Sequence, residues 1–113
     1  MATEKEMVSE IRHFVHEHPH GWSHDEWTGL THHLAHLGHD VSDLDALGLR
    51  LEHERLVQVL ERMEIKGLGP KRTKAIANHF GTLWNLMSAP SEEVAKAVGL
   101  PASLANQISE VLQ

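Results

Sequence analysis

The uninterrupted helical spacing of apolar residues restricts the possible folds of this chain more than any other feature. From Met7 to Leu112, apolar side chains recur at every third or fourth position, and no segment shows the apolar–polar alternation of a strand. Ser23 and Glu26 have the spacing of a capping box, with Trp22 and Trp27 placed as a hydrophobic staple. The pattern predicts an all-α protein without a sheet.

Boundary signals give a finer prediction for the first half. The buried face of the second helix is expected to comprise Trp27, Leu30, Leu34 and Leu37, with Gly38 as its stop. Ser42 with Asp45 is expected to open the next helix, and Gly48 to bend or end it before a longer helix over residues 49–63. The second half reads as a series of shorter helices, the last one striped by Leu104, Ile108, Val111 and Leu112.

Charge divides the chain into two unlike halves. Residues 1–60 contain four Lys+Arg and eleven Asp+Glu, a balance of −7, whereas residues 61–113 contain six and five, a balance of +1. Ten of the eleven histidines lie in the first half. We therefore predict an acidic, histidine-rich helical subdomain over residues 1–55 and a second helical domain over residues 56–113.

Size and composition exclude several classes of protein. A chain of 113 residues is shorter than an ordinary catalytic domain, and we expect no enzymatic activity. The sequence has no cysteine, which excludes disulfides, thiolate zinc sites and cysteine nucleophiles. No segment approaches the roughly 20 apolar residues of a membrane span. The expected location is the cytoplasm, with association with the nucleoid as an option, and no membrane contact is expected.

The segment "IKGLGPKRTKAI", residues 65–76, concentrates positive charge next to two glycines. Gly67 and Gly69 can adopt backbone conformations closed to other residues and leave peptide N–H groups uncovered. A helix that starts directly afterwards favours an anion at its N-terminus. Leu68 is expected to anchor the turn in the core. A simple helix connector with solvated lysines is the alternative, but a phosphate-binding turn better explains Gly-Leu-Gly among four cations.

Residues 56–113 resemble a tandem helix-hairpin-helix domain, similar to those of the Holliday-junction subunit RuvA and of the C-terminus of the excision-nuclease subunit UvrC. The family hairpin reads apolar-x-Gly-apolar-Gly, matched by Ile65, Gly67, Leu68 and Gly69. The segment from His79 to Leu112 resembles the connector and second hairpin. The resemblance implies contact with the DNA backbone through these residues: Lys66, Gly67, Leu68, Gly69, Lys71, Arg72, Lys74, Gly99, Leu100 and Ser103.

The second hairpin departs from the family pattern. Gly99-Leu100-Pro101 has proline where the second glycine is expected, and proline removes an N–H donor. Ser103 stands where the first hairpin has a lysine and adds no charge. A structural role for this hairpin is at least as well supported as a phosphate contact.

Residue content argues against two other chemistries. Helix-hairpin-helix glycosylases have a catalytic lysine near the position of Lys71, but they also need a later carboxylate, and this chain has no Asp after Asp45. The pairs His13/His16, His32/His36 and His33/His36 have the spacing to share a divalent metal on a helix surface. Histidines scattered among glutamates more often give adventitious affinity, so we expect no specific metal and no cofactor.

The resulting prediction is a DNA-binding protein that grips the sugar-phosphate backbone of duplex or branched DNA without reading sequence, in DNA repair or recombination. The principal alternative is a protein-interaction or self-association module of the same fold, which the net charge of −6 favours. A histidine-based, metal-responsive protein is a third option. The partner of the N-terminal half is left open.

Overall fold

The computed structural model describes residues 3–112, which form seven helices and, within that range, no strand. The helices are α1 (Glu4–Glu17), α2 (His24–His36), α3 (Leu44–Arg62), α4 (Pro70–Phe80), α5 (Leu83–Ser88), α6 (Ser91–Val98) and α7 (Ala102–Leu112). The predicted all-α class is confirmed. The molecule is elongated, with principal extents of 46 × 26 × 22 Å.

Two hydrophobic clusters form the interior, and α3 contributes to both. Its N-terminal part places Leu47 and Leu51 in a cluster with residues of α1 and α2, which we call the N-terminal cluster. Its C-terminal part places Leu56 and Leu60 in a cluster with residues of α4 to α7, which we call the C-terminal cluster. The change from one cluster to the other thus falls between residues 51 and 56 of a single helix. The division into domains at residue 55 stays a prediction.

The start of α2 has the predicted capping box. The Ser23 hydroxyl accepts from the Glu26 N–H at 3.1 Å, and the Ser23 N–H donates to the Glu26 carboxylate at 2.8 Å. Trp22 and Trp27 are half-buried and pack against the N-terminal cluster, and the staple contact between them stays a prediction. At the other end, the prediction for Leu37 is wrong. Leu37 follows the last residue of α2 as its C-cap, and its side chain is 41% exposed.

The start and course of α3 also differ from the prediction. Asp43, rather than Ser42, caps the helix by accepting from the Ala46 N–H at 3.0 Å. Ser42 instead donates through its N–H and hydroxyl to Asp40, at 2.9 and 2.7 Å. Gly48 does not end the helix. α3 is 19 residues long and runs through Gly48, because buried leucines on both sides hold it against the core.

The last helix follows its predicted stripe with one exception. Leu104 and Ile108 are buried, and Leu112 packs against the C-terminal cluster. Val111 is 58% exposed, because it lies on the outer side of the last turn.

Candidate nucleic-acid interface

The end of α3 delivers the chain into the first hairpin, residues 63–70. Glu64 adopts a left-handed conformation with φ of 50°, which reverses the chain after the helix. The Leu68 N–H then donates to the Ile65 carbonyl at 3.1 Å, closing a tight turn. Ile65 and Leu68 are half-buried and pack against the C-terminal cluster. The predicted anchoring by Leu68 is therefore present, and α4 starts directly afterwards at Pro70.

The two glycines of this hairpin differ in conformation. Gly67 has φ of 93°, a region that favours glycine, as predicted. Gly69 has φ of −73° and ψ of 177°, which is extended backbone open to any residue. The expectation that Gly69 needs a glycine-specific conformation is wrong. What its lack of a side chain provides is space, since no atom of residues 3–112 other than its chain neighbours lies within 4 Å of where a Cβ would stand.

Backbone donors are uncovered at the start of α4. Among residues 3–112, no backbone acceptor is present for the N–H groups of Gly69, Lys71 and Arg72. The first bond of the helix is made by the Thr73 N–H, which donates to the Gly69 carbonyl at 3.0 Å. Uncovered N–H groups and the positive end of the helix dipole together form a site that favours an anion.

Four positively charged residues flank these donors in the sequence. Lys66, Lys71, Arg72 and Lys74 are all exposed, and none of them forms an ion pair with another described residue. On the opposite face of α4, Thr73, Ile76, Ala77 and Phe80 are buried.

Arg72 has a second role that sequence reasoning missed. Its Nη1 donates to the Gly67 carbonyl at 2.7 Å, across the turn. The guanidinium therefore supports the hairpin, and its remaining donors face solvent. The only sequence signal was an arginine five residues after a glycine, which does not specify such a bond.

The second hairpin has a similar turn, but fewer of its backbone N–H groups lack a backbone acceptor among residues 3–112. Gly99 is left-handed, with φ of 67°, and the Ala105 N–H donates to the Pro101 carbonyl as Thr73 does to Gly69. The N–H groups of Gly99 and Leu100, however, both donate to the Ala95 carbonyl and end α6. Pro101 has no N–H.

The side chains of the second hairpin give little to an anion. Leu100 is buried in the C-terminal cluster, and Ser103 is exposed but uncharged. The N–H groups of Ala102 and Ser103 have no backbone acceptor among the described residues. This turn thus offers two uncovered donors and no cation.

Three histidines of the first half, His13, His18 and His33, lie beside carboxylates. His33 lies 3.0 Å from Glu10, linking α2 to α1, and the His18 ring lies 2.6 Å from Glu26. The other His18 nitrogen is 2.7 Å from the Phe14 carbonyl. Because both neighbours of His18 are acceptors, only the protonated ring donates to both.

The predicted histidine pairs are exposed on α1 and α2. No three His, Asp or Glu side chains in the described part of the chain are grouped so that they could hold a metal ion. Residues 3–112 also contain no helix with the length and apolar character that a membrane span requires.

Part of the chain is similar to UvrABC system protein C of several bacteria. The protein from Ectopseudomonas mendocina is 47% identical over 49 residues, which are 43% of this chain and 8% of the relative. The protein from Carboxydothermus hydrogenoformans is 38% identical over 58 residues, 51% of this chain and 9% of the relative. The chain contains a UvrC-like C-terminal helical domain. The predicted resemblance to UvrC is thereby confirmed.

The similarity is local. Even the match to UvrABC system protein C of Aliivibrio salmonicida, 29% identical over 82 residues and 73% of this chain, covers 14% of that relative. The chain thus spans about a tenth of the length of the curated relatives that it matches. No protein-family model matches the chain. No solved structure matches it either.

Proposed function

We propose that this chain binds DNA through the first hairpin, which grips the sugar-phosphate backbone without reading base sequence, in a DNA-repair-related role. The observation that carries the proposal is the group of uncovered N–H donors at Gly69, Lys71 and Arg72 beside exposed lysines. The similarity to UvrABC system protein C supports the link to repair. The role proposed is binding, without catalysis.

The geometry favours phosphate over a base as the ligand. A phosphate oxygen accepts from several N–H groups at once, and backbone donors carry no information about base identity. The open space over Gly69 lets a bulky anion approach the backbone closely. Lys71 and Lys74 add positive charge, and neither forms an ion pair with another residue of the described range 3–112. Binding by one such hairpin is expected to be weak and strongly salt-dependent.

The second hairpin would add less to the binding. It shares the turn geometry, but its Gly99 and Leu100 N–H groups are already bonded and its first helical turn carries no cation. We assign Gly99 and Leu100 mainly to holding α6 and α7 together, with Ser103 as a weak backbone contact.

The test removes charge without disturbing the hairpin. Lys71→Gln/Lys74→Gln deletes two cations but keeps the bond from Arg72 to the Gly67 carbonyl. The matched control, Lys5→Gln/Lys96→Gln, deletes two exposed lysines from α1 and α6. Affinity is measured by mobility shift at several salt concentrations on duplex, single-stranded and four-way-junction DNA.

We expect the hairpin variant to bind more weakly on every sequence tested. Its plot of log affinity against log salt should be flatter by about 0.9 for each phosphate of duplex DNA that the variant no longer neutralises. The control should change affinity and slope much less. A folded hairpin variant with the affinity and slope of the parent would exclude the first hairpin from the binding site.

A protein-interaction module is the second candidate function, and α5 gives it a specific basis. Trp84 is 75% exposed and Met87, one turn later, is 40% exposed, a pair of large apolar side chains on one surface. Sedimentation of the same samples over a range of protein concentrations distinguishes a DNA-binding protein from a self-association module. Self-association without DNA binding would favour this candidate.

A further inference from the structure

A groove between the start of α2 and the start of α3 combines apolar walls with an acidic edge. Trp22 and Trp27 line one side, and Leu44, Gly48 and Leu49 line the other side of this open groove, whose volume is about 620 Å³. We call it the tryptophan groove. Leu44 and Leu49 are 48% and 62% exposed, so together with the half-buried tryptophans they form a contiguous apolar surface.

Gly48 opens this groove at a cost to the helix. A glycine inside a helix is less stable than alanine by about 0.5–1 kcal/mol. Packing does not require it here, since a Cβ at Gly48 would lie 4.0 Å from the Trp27 ring, an ordinary contact. A larger side chain at this position would extend between Leu44 and Leu49 into the groove. An alanine would therefore fit at this position, and the glycine leaves the groove open beside Trp27.

The charge at the groove selects the kind of partner. Asp45 and Glu52 lie on its edge, one helical turn before and after Gly48, and the described residues that line it include no lysine or arginine. The surrounding half of the chain has a formal balance of −7. The two carboxylates lie on the α3 side of the groove, and His24 is the titratable residue on the α2 side. An acidic edge along an apolar floor complements a helix with apolar residues on one face and lysine or arginine beside them.

We propose that the tryptophan groove is a docking site for a basic amphipathic helix of a partner protein. Apolar residues spaced three or four positions apart would lie against Trp27, Gly48 and Leu49, and flanking cations would face Asp45 and Glu52. The site lies on the N-terminal cluster, away from the first hairpin, so the proposal does not depend on DNA binding.

The test uses a defined probe and the protein's own fluorescence. The probe is an 18-residue helical peptide of leucine and lysine, with leucines at positions i, i+3, i+4 and i+7, and the control peptide replaces each lysine with glutamate. Trp84→Phe removes the exposed tryptophan outside the groove and leaves Trp22 and Trp27 as reporters. We expect a saturable fluorescence change with the lysine peptide and none with the glutamate peptide.

Variants then locate the binding. Gly48→Met fills the groove without changing charge and should weaken peptide binding at least tenfold, whereas Gly48→Ala should retain most of it. The matched control is Gly29→Met, which fills space at an exposed helical glycine of α2 outside the groove. It should bind like the parent protein. DNA affinity should be unchanged in all three variants.

A second pair of variants keeps the test decisive if Gly48→Met does not fold. Asp45→Asn/Glu52→Gln should weaken binding of the lysine peptide, and Glu92→Gln/Glu93→Gln on α6 should not. The proposal would be overturned if the lysine and glutamate peptides bound equally well. It would also be overturned if Asp45→Asn/Glu52→Gln bound the lysine peptide as well as its α6 control did. Sedimentation showing a dimer that Gly48→Met converts to a monomer would overturn it too, because the occupant would then be a second copy of this chain.

Discussion

The two glycines of the first hairpin allow backbone conformation and backbone access to be tested separately. Gly69→Ala places a methyl group in open space on extended backbone, so the free energy of unfolding should change by less than about 0.5 kcal/mol. That methyl would stand beside the uncovered N–H groups, and DNA affinity should fall. Gly67→Ala has to adopt φ near 93° and should destabilise by about 1–2 kcal/mol.

Urea denaturation and mobility shift on the same preparations check this prediction. A Gly69→Ala protein of unchanged stability and unchanged DNA affinity would contradict a role for these backbone donors, even if the lysines proved necessary. The comparison thus separates phosphate binding by the backbone from a general attraction to lysine side chains.

Single residues also show how far the sequence could predict the site. The glycine at 67, the buried face of α4 and the outward lysines all follow from spacing, because each depends on local geometry. The bond from Arg72 to the Gly67 carbonyl could not be predicted, since several rotamers of a long side chain reach different acceptors. Which N–H groups of the second hairpin are bonded likewise depends on how α6 ends.

At the scale of elements, the start of α2 links helix capping to acid stability. The hydrogen bond from the Ser23 N–H, assisted by the Ser23 hydroxyl and by His18, lowers the pKa of Glu26 below its usual 4.5. Because the pKa is lower in the folded state, ionised Glu26 stabilises the fold at pH values above 4.5. That contribution decreases as the pH falls below 4.5 and through the folded-state pKa.

Glu26→Gln should therefore cost the most stability near neutral pH, and the difference from the parent protein should shrink between pH 5 and pH 3. Glu110→Gln in the last turn of α7 is the control, because that carboxylate accepts no capping bond. Thermal unfolding across the pH range measures both. A Glu26→Gln difference that stays constant down to pH 3 would show that the carboxylate charge contributes nothing to the cap.

The starts and ends of the helices show where prediction from local sequence succeeded and where it failed. Local rules predicted the capping box of α2 correctly, because it is set within one turn of chain. They failed at Gly48 because the buried Leu47 and Leu51 hold α3 in place through tertiary packing, which offsets the low helix propensity of glycine. They failed at Ser42 because the neighbouring Asp43 is an equally good cap.

At the scale of the whole molecule, α3 joins two halves of unlike charge. The helix carries buried leucines of both clusters, and His53 on α3 lies 2.9 Å from Asn78 on α4. The acidic half is therefore held close to the half that we propose binds DNA. Its formal balance of −7 opposes the approach of a polyanion, and histidine protonation reduces that opposition.

DNA affinity should consequently rise as the pH decreases from about 7.5 to about 6, a range that spans the reference pKa of histidine, roughly 6.5. Ionic strength has to be constant and low, because the Debye length is only about 8 Å at physiological salt and the molecule is 46 Å long.

Replacing the exposed His20, His24, His32 and His36 with glutamine should flatten this pH dependence. If His79→Gln alone flattened it, the charge would act locally, since His79 lies on α4. An affinity that stayed flat over this range in the unmodified protein would show that the acidic half does not govern access to DNA.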